Sequence, residues 1–541
     1  MLSPSGGDMA LTERTPGPTI SQVLSHRSEE DPDGDFLVLK DRTLSFAQVE
    51  EEALALARAL NGLGVGRGDR VALILPGCPE FVSSFFALAQ LGVVAVPLNP
   101  RLAEGELRYM LRHSEAVAAI TVESFHGVDY LQLFEDLLPQ LPELQYLVTV
   151  GEEDLWYDDR IFQFEDLVSA GSDREAPAPT LDPDETLGAI VYTSGTTGKP
   201  KGVELTHGNL IYSAGEAAQA LGLTSRDRVF GVTALFHVYA LAQGILGCAL
   251  SGAALILQEE FDPEEALDLI EACGATVHYG VPTIFTAELR AQQARARNLS
   301  SLRTGVVAGA PMREELFAQV EAELCPHLLT GYSLTETASI LAMSHPGDSE
   351  EKRRYTVGRP LKGTEVRVLE KDGTPLPVES LGEIAVKGPG TMRGYYRQPM
   401  ETRNSFTADG FLLTGDLGIL DEEGFVHLVG RRREVIIRSG NNVYPREVED
   451  RLHAHPAVHD VAVVGIRDEL LGEAICAAVV PVEGAIVTAA EIRDWCLESL
   501  AEYKAPDRVR FLDELPMTGT GKVRRVELTR LMEAEGQFLS E

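Results

Sequence analysis

Basic residues are scarce in this sequence, whose 541 residues include 47 lysines and arginines against 83 aspartates and glutamates. The resulting net charge of −36 argues against a protein that binds nucleic acid or an anionic membrane over a broad surface. An anionic ligand would instead need local clusters of positive charge. Three such clusters lie beside glycines: Lys199 with Lys201, residues 431–433, and Lys522 with its neighbours at 524 and 525.

Cysteine is also sparse, and the six cysteines form no C-x-x-C pair and have no histidine partners at metal-ligand spacing. Reduced thiols of a cytoplasmic protein are therefore expected. The N-terminus lacks a basic region followed by an apolar one, so no signal peptide is predicted. Residues 1–18 are rich in glycine, proline and serine, and we expect a disordered extension there.

One long uncharged run, Phe230–Leu257, is long enough to span a membrane. It contains His237, Gln243 and four glycines, however, and it lacks the flanking aromatic and basic anchors of a membrane span. We therefore expect a buried helix followed by a core strand over Ala253–Leu257, and no transmembrane segment.

Helical and strand patterns alternate through roughly the first 430 residues, as in Phe46–Leu63 followed by the apolar Arg70–Leu75. Continuous apolar strands between helices are typical of parallel sheets. After Gly358 the strands become short and are separated by Asp-Gly and Gly-Pro turns, which predicts a small β-rich subdomain. A boundary at Gly430–Gly440 precedes a compact α+β unit, in which Thr488 and Glu491 form a capping box.

These patterns predict an α/β fold: a large N-terminal domain of parallel α/β sheets with a small β-rich subdomain, followed by a small α+β domain. The predicted boundaries are 19–430 for the large domain and 431–541 for the C-terminal domain.

The most informative segment is Tyr192–Gly202, which reads YTSGTTGKPKG and follows the apolar Leu187–Val191. Its glycines let the backbone approach a ligand, and its hydroxyl, N–H and lysine groups can donate to phosphate oxygens. A strand that opens into such a loop predicts a phosphate site. It is not a Walker loop, because Gly195 and Gly198 are too close together and Pro200 follows the first lysine.

Six further segments join this loop in an order and spacing that resemble the adenylate-forming superfamily. That superfamily includes acyl-CoA synthetases, adenylation domains of peptide synthetases and firefly luciferase, and the resemblance covers about residues 20–531. The six segments are Ala234–Leu241, Ala308–Met312, Gly331–Thr337, Leu413–Gly418, Gly430–Pro445 and Pro516–Arg525.

The resemblance implies an AMP-forming acyl-CoA synthetase that uses ATP, Mg²⁺ and CoA. A carboxylate would attack the α-phosphate of ATP to give an acyl adenylate, and a thiol would then displace AMP. Glu336, with the Thr335 hydroxyl, would hold Mg²⁺, because this cation prefers carboxylate oxygen. Lys522 would lie between the acyl carboxylate and the α-phosphate. The β- and γ-phosphates would be cradled by Thr193, Ser194, Gly195, Thr196, Thr197, Gly198, Lys199 and Lys201.

The same resemblance implies a nucleoside site in which Asp416 accepts the ribose hydroxyls and Arg431 reaches ribose or phosphate. The C-terminal domain would rotate between two poses about Arg433, a position where many relatives have Asp or Lys. In the second pose, Ser439 and Gly440 would line the pantetheine tunnel. The adenine slot would comprise Gly309, Ala310, Pro311, Gly331 and Tyr332, with Tyr332 stacked on the base.

The expected acyl pocket favours an apolar acid. Its segments contain no aspartate for an amino acid's ammonium group and no Arg or Lys for a second carboxylate. A medium- or long-chain fatty acid is the first expectation, and an aryl or alicyclic acid is the second. His237 is either a gate between the acyl and thiol channels or a core histidine. The predicted walls are His237, Tyr239, Val281, Phe285, Ala308 and Ala338.

Other functions remain open on the sequence alone. An acyl-AMP ligase that loads a carrier protein and a luciferase-like oxygenase share these motifs. A nucleotide-binding scaffold without activity would be expected to lack Lys522 or Glu336, and both are present. The oligomeric state is also open, a homodimer included.

Overall fold

The computed structural model of the chain describes residues 17–151, 159–172, 179–193, 199–231, 234–439, 441–468, 470–517 and 522–533. Most of the expected N-terminal extension therefore lies outside the described residues. No helix within these ranges is both long enough and apolar enough to cross a membrane.

The first part of the chain alternates strands and helices as predicted. Helix α2 begins at a capping box that Ser45 forms with Gln48. The strands are β1 (Asp35–Val38), β2 (Thr43–Ser45), β3 (Arg70–Ile74), β4 (Val94–Pro97), β5 (Ala118–Val122), β6 (Ser124–Phe125), β7 (Val128–Asp129), β8 (Tyr146–Val150) and β9 (Ile161–Gln163). The helices are α1 (Ile20–Glu30), α2 (Phe46–Gly62), α3 (Pro79–Leu91), α4 (Glu104–Ser114), α5 (Tyr130–Leu137) and α6 (Phe164–Gly171).

The alternation continues through the middle of the chain. Helix α9 begins at Asp262, whose side chain accepts the Glu265 N–H, and it ends before Gly274 in the left-handed conformation. The strands are β10 (Leu187–Thr193), β11 (Lys201–Thr206), β12 (Arg228–Phe230), β13 (Ala254–Ile256), β14 (Val277–Gly280), β15 (Thr304–Val307), β16 (Leu328–Leu334), β17 (Ser339–Met343) and β18 (Arg359–Pro360). The helices are α7 (His207–Leu221), α8 (Gly247–Ser251), α9 (Pro263–Cys273), α10 (Pro282–Ala294), α11 (Glu314–Glu323) and α12 (Glu350–Tyr355).

The last third of the chain contains the short strands predicted after Gly358 and the α+β unit. The capping box of Thr488 and Glu491 is confirmed at the start of α15. The strands are β19 (Glu365–Leu369), β20 (Gly382–Lys387), β21 (Gly394–Tyr395), β22 (Leu412–Leu420), β23 (Val426–Arg431), β24 (Ile436–Arg438), β25 (Asn441–Val443), β26 (Val458–Asp468), β27 (Gly472–Pro481) and β28 (Arg508–Phe511). The helices are α13 (Pro399–Asn404), α14 (Pro445–His453), α15 (Ala489–Leu497) and α16 (Arg525–Glu533).

The described strands form two large, mostly parallel sheets and three smaller ones, of which the smallest is the β6-β7 pair, and this architecture confirms the predicted fold class. The first large sheet has the order β21-β11-β10-β4-β3-β5-β8-β9, and the second has the order β18-β17-β16-β15-β14-β12-β13-β1-β2. Antiparallel strands lie at the edges of both. The β-rich subdomain is the antiparallel sheet β19-β20-β22-β23, and the C-terminal unit is built on β25-β24-β27-β26, with β28 paired to β27.

The described part of the uncharged run at 230–257 lies mainly in the interior, as predicted. It enters the core as a π-helix over Ala240–Leu246, continues as α8, and ends in the central strand β13. Every residue of the π-helix is buried. Single-turn π-helices are frequent at functional sites, and this one follows directly on Tyr239, an expected wall of the acyl pocket.

A buried histidine joins the first helix to the core, and it predicts an acid-sensitive fold. The Ile20 N–H donates to His207 Nδ1 at 3.1 Å, and burial lowers the pKa of His207 from 6.5 to about 4. Between these two pKa values, therefore, His207 binds a proton in the unfolded chain but not in the folded chain. The stability contribution is present above the unfolded pKa and is lost as pH falls from 6.5 towards 4.

We expect the free energy of unfolding to fall by about 2 kcal/mol from this group between about pH 8 and about pH 5. Urea unfolding at both pH values checks this. The H207N variant removes the titrating group, so its stability should depend less on pH than that of the wild type. An identical pH dependence in both proteins would show that His207 is not responsible.

Candidate functional site

Expected site residues converge at one edge of the second large sheet. Strands β14, β15 and β16 are adjacent and parallel, so their carboxyl ends meet there. A Cβ on Gly309 would lie 3.4 Å from Val281 Cγ1, and one on Gly331 would lie 3.6 Å from the Cβ of Ala308. Gly309 has φ of +83°, which favours glycine. The residues of this edge are Val281, Ala308, Gly309, Ala310, Pro311, Gly331 and Tyr332.

Asp416 is the centre of a buried hydrogen-bonded set. It lies opposite Arg431 across the β22–β23 pair, and Arg431 Nε is 2.9 Å from Asp416 Oδ1. The Tyr332 hydroxyl donates to the other oxygen, Oδ2, at 2.5 Å. Burial raises the pKa of Asp416, and Arg431 opposes that rise. Burial and the Asp416 charge raise the pKa of Tyr332, which keeps its hydroxyl a donor. The carboxylate is thus oriented through both oxygens.

Glu336 lies in a single 3₁₀ turn, Thr335–Thr337, which follows β16. Its Oε1 accepts the Tyr395 hydroxyl at 2.9 Å, and its backbone carbonyl accepts the Met392 N–H at 2.9 Å. These contacts connect the second large sheet to strand β21 of the first. The Glu336 carboxylate therefore lies where the two large sheets approach each other.

The structure describes only the two ends of the predicted phosphate loop, since residues 194–198 lie outside the described ranges. The two ends of the loop are paired, with Thr193 opposite Lys201 in the β10–β11 hairpin. Lys199 Nζ lies 5.6 Å from the centre of the Tyr109 ring. Lys201 is 9% exposed, and its Nζ is 2.8 Å from Glu401 Oε2. The structure thus gives Lys201 a carboxylate partner that the sequence analysis did not anticipate.

Lys522 reaches the site from the C-terminal domain. Although it is an exposed residue, partial desolvation lowers its pKa, and the Arg431 charge lowers it further. Asp416 and Glu336 act in the opposite direction, so the Lys522 ammonium is within electrostatic range of all three groups. It also acts on His237, whose pKa is lowered to about 4 mainly by burial.

The half-buried His237 is neutral at neutral pH. Its Nδ1 accepts the Tyr239 N–H at 3.2 Å, so the proton of the neutral ring is on Nε2. The ring therefore presents a donor to its remaining surroundings. This favours a residue at a channel over a fully packed core histidine, and its role as a gate stays a prediction.

Contacts between the two predicted domains hold Lys522 in this arrangement. Arg446 Nη1 donates to the Leu428 carbonyl at 3.0 Å, and Arg290 Nη2 lies 3.1 Å from His459 Nε2. These contacts describe one pose of the C-terminal domain, in which Lys522 is within electrostatic range of the site.

Two of the expected acyl-pocket walls, His237 and Tyr239, are in contact through the Tyr239 N–H and His237 Nδ1. The Tyr239 ring contacts Tyr279 edge-on at 5.5 Å, and Ala338 is fully buried with φ of +53°. Phe285 lies elsewhere: its ring is 4.9 Å from His278, in a separate core cluster. Because His278 and Tyr279 point to opposite faces of β14, Phe285 is on the far side of the sheet from Tyr239. Its assignment to the pocket is therefore wrong.

The expected hinge lies in a short 3₁₀ turn, Arg432–Glu434, that joins β23 to the C-terminal unit. Arg433 is half-exposed, and its Nε is 4.0 Å from Glu434 Oε1. Ser439 has a positive φ of +49°. Gly440, the second residue expected in the pantetheine tunnel, lies outside the described residues.

Two functional candidates were missed by the sequence analysis. Tyr395 contacts Glu336, and Glu401 contacts Lys201. Each partner is far away in the sequence, 59 and 200 residues respectively, so periodicity carries no signal for either contact.

Comparisons with known proteins agree with this arrangement. Residues 24–396 match the family described as AMP-binding enzyme, and residues 447–522 match the AMP-binding enzyme C-terminal domain. The chain is 36% identical over 533 residues to YngI of Bacillus subtilis (strain 168), covering 94% of this chain and 96% of YngI. It is 32% identical over 540 residues to the long-chain-fatty-acid–CoA ligase of the same organism, covering 96% and 95%.

A solved structure extends the comparison to three dimensions. The crystal structure of the anthranilate CoA ligase AuaEII in complex with anthranoyl-AMP matches with a TM-score of 0.87 at 28% identity. The match covers 97% of this chain and 99% of that one.

Proposed function

This chain belongs to the AMP-binding enzyme family, and from that premise we propose that it is a fatty-acid–CoA ligase. It activates a medium- or long-chain fatty acid with ATP and transfers the acyl group to CoA, with release of AMP and pyrophosphate. The observation that carries the proposal is the buried set in which Tyr332 and Arg431 hold the Asp416 carboxylate. Lys522 of the C-terminal domain is within electrostatic range of this set and of Glu336. We place the adenylation domain at 19–430 and the mobile domain at 431–541.

In the first half-reaction an oxygen of the fatty-acid carboxylate bonds to the α-phosphorus of ATP. The bond from that phosphorus to the bridging oxygen of pyrophosphate breaks, and pyrophosphate leaves. Both reactants are anions, so the site must supply positive charge where they meet. Lys522 supplies it from the C-terminal domain and Arg431 from the boundary between the two domains, while Asp416 holds the ribose hydroxyls on its remaining lone pairs.

Glu336 fits a bound Mg²⁺, because its carboxylate is a hard oxygen donor held by Tyr395 at the meeting point of the two large sheets. Thr335 precedes it in the same turn and adds a hydroxyl. When bound, the cation would neutralise charge on the phosphates.

In the second half-reaction the CoA thiol loses its proton to solvent, its sulfur attacks the acyl carbonyl carbon, and AMP leaves with the bonding electrons. Lys522 is no longer needed, and the C-terminal domain turns about Arg433 to present Ser439 and Gly440 to pantetheine. The half-exposed side chain of Arg433 supports a pivot at this position. His237 is our candidate for the gate between the acyl and thiol channels.

Apolar walls support a fatty acid as the substrate. Tyr239, Tyr279 and the buried Ala338 supply aromatic and small apolar surface. The 32% identity to a long-chain-fatty-acid–CoA ligase points the same way. An aryl acid is the second candidate, favoured by the Tyr239–Tyr279 edge contact and by the anthranilate CoA ligase similarity.

Pyrophosphate release and thioester formation, measured in parallel over a panel of acids, test this proposal. We expect saturated fatty acids to give kcat/KM values about tenfold or more above those of benzoate and cinnamate, because each buried methylene adds about 0.8 kcal/mol. A preference for aryl acids would replace the first candidate with the second. Pyrophosphate release without a CoA thioester would instead indicate an acyl-AMP ligase that loads a carrier protein.

We also propose a cytoplasmic location. All six cysteines are free thiols in the structure, as expected in a reducing compartment. Burial raises the pKa of several of them, including Cys78, so they are poor nucleophiles.

A further inference from the structure

Tyr395 is the side chain that orients the Glu336 carboxylate. Its hydroxyl donates to Glu336 Oε1 at 2.9 Å. The hydroxyl is the donor of this pair, because an ionised carboxylate can only accept. A carboxylate that is held through one oxygen presents the other in a defined direction.

The backbone of Tyr395 is fixed on two sides. Strand β21 pairs with β11, with Val203 opposite Tyr395, which places it beside the hairpin that carries the phosphate loop. Its N–H donates to the Thr402 hydroxyl at 2.8 Å. The backbone of the tyrosine is therefore held between the hairpin and helix α13, which defines where its side chain begins.

Lys201 contacts both Tyr395 and helix α13. Its ammonium lies 4.7 Å from the centre of the Tyr395 ring and 2.8 Å from Glu401 Oε2. Glu401 and Thr402 are consecutive residues of α13, so this helix holds both the lysine and the tyrosine. Lys201 has only 9% of its surface exposed, and its ammonium is already paired with the Glu401 carboxylate. Its positive charge is therefore neutralised within the protein.

We propose that Tyr395 is a positioning residue for Glu336, and that Lys201 acts through Tyr395 and Glu401 instead of gripping phosphate directly. This inference rests on the proposed role of Glu336 as the Mg²⁺ ligand. It divides the two lysines of the loop between two tasks. Lys199, which lies over Tyr109 at the protein surface, remains the candidate phosphate contact.

The Y395F variant tests the first part, because it keeps the ring under Lys201 and removes only the hydroxyl. We expect the Mg²⁺ concentration for half-maximal adenylation to rise about 10-fold to 100-fold, the usual cost of losing a group that orients a metal ligand. At saturating Mg²⁺, kcat should stay within about threefold of the wild type. Mn²⁺ binding to the protein–ATP complex, followed by electron paramagnetic resonance, should weaken by a similar factor.

Two comparison variants make the result specific. Tyr146 lies in strand β8 of the first large sheet, and its hydroxyl donates to the Leu63 carbonyl at 2.9 Å. The Y146F variant removes this hydroxyl and should leave the Mg²⁺ requirement unchanged. E336Q removes the proposed ligand itself. If E336Q raises the Mg²⁺ requirement and Y395F does not, the positioning role is refuted while the proposed ligand stands. If neither variant changes it, the Mg²⁺ role of Glu336 fails.

A double-mutant cycle tests the second part. K201Q and E401Q should each raise the Mg²⁺ requirement in the manner of Y395F, and the double variant should be no worse than either, because the two residues form one unit. If Lys201 binds phosphate instead, K201Q will raise the KM for ATP equally at every Mg²⁺ concentration, and E401Q will not. That outcome would overturn the assignment of Lys201.

Discussion

Replacing Lys522 by alanine is expected to slow adenylate formation by about 10²–10³-fold, the cost of removing one preorganised charge from a transition state. The ammonium is within electrostatic range of Asp416, Glu336 and Arg431 in the pose seen here. In the proposed second pose it leaves the site. Thioester formation from a preformed acyl adenylate should therefore stay within about threefold of the wild-type rate. Pyrophosphate release and single-turnover thioester formation measure the two steps separately.

The K504A variant is the matched control for this experiment. Lys504 is a partly buried lysine of the same C-terminal unit, and it pairs with Glu447 at 2.5 Å, within that unit. Its removal should change neither half-reaction. Equal losses in both half-reactions of K522A would contradict the two-pose mechanism, since a residue that leaves the site cannot stabilise the second step.

The second large effect is expected at Asp416. The D416N variant keeps the shape of the side chain but removes the charge that accepts the ribose hydroxyls, and hydrogen bonds to charged groups contribute about 1.5–3 kcal/mol each. We expect the KM for ATP to rise about 10²-fold or more, with little change in the KM for CoA. Initial-rate kinetics with each substrate varied in turn measure both constants.

An exposed carboxylate in the turn before β22, beside the same small sheet, provides the comparison. Asp409 pairs with Arg367 at 2.9 Å on the surface of the β-rich subdomain, and D409N should behave as wild type. A KM for ATP in D416N within about twofold of the wild-type value would show that Asp416 only supports the hairpin, through Tyr332 and Arg431.

Much of the fold could be predicted from the sequence, because the period of apolar residues directly reflects the local backbone. The alternation of strands and helices, the change to short strands after Gly358 and the capping box at Thr488 are all confirmed. The uncharged run at 230–257 was also correctly predicted to be interior. The π-helix within it was not, since an extra residue in a helical turn leaves no trace in an all-apolar pattern.

The functional site was predictable only where a motif is local. Asp416 and Arg431 were each predicted from the motif in which they lie. Their ion pair, however, follows only from the pairing of strand β22 with strand β23. Phe285 was misplaced because an apolar residue after a strand fits either face of the sheet. Lys201 was assigned to phosphate because its glycine-rich context is local, whereas its partner Glu401 is 200 residues away.

By itself the sequence determined the class of chemistry, which is the binding of a polyphosphate. A glycine-rich loop, a carboxylate and a lysine supply the groups that such a ligand needs. Only the tertiary structure decided how the charges are paired. A lysine inside an acidic chain takes whichever carboxylate the fold brings within about 4 Å, because Coulomb attraction falls steeply with distance and with solvent screening. That is why Lys199 and Lys201, two positions apart in one loop, have different neighbours and, in our proposal, different tasks.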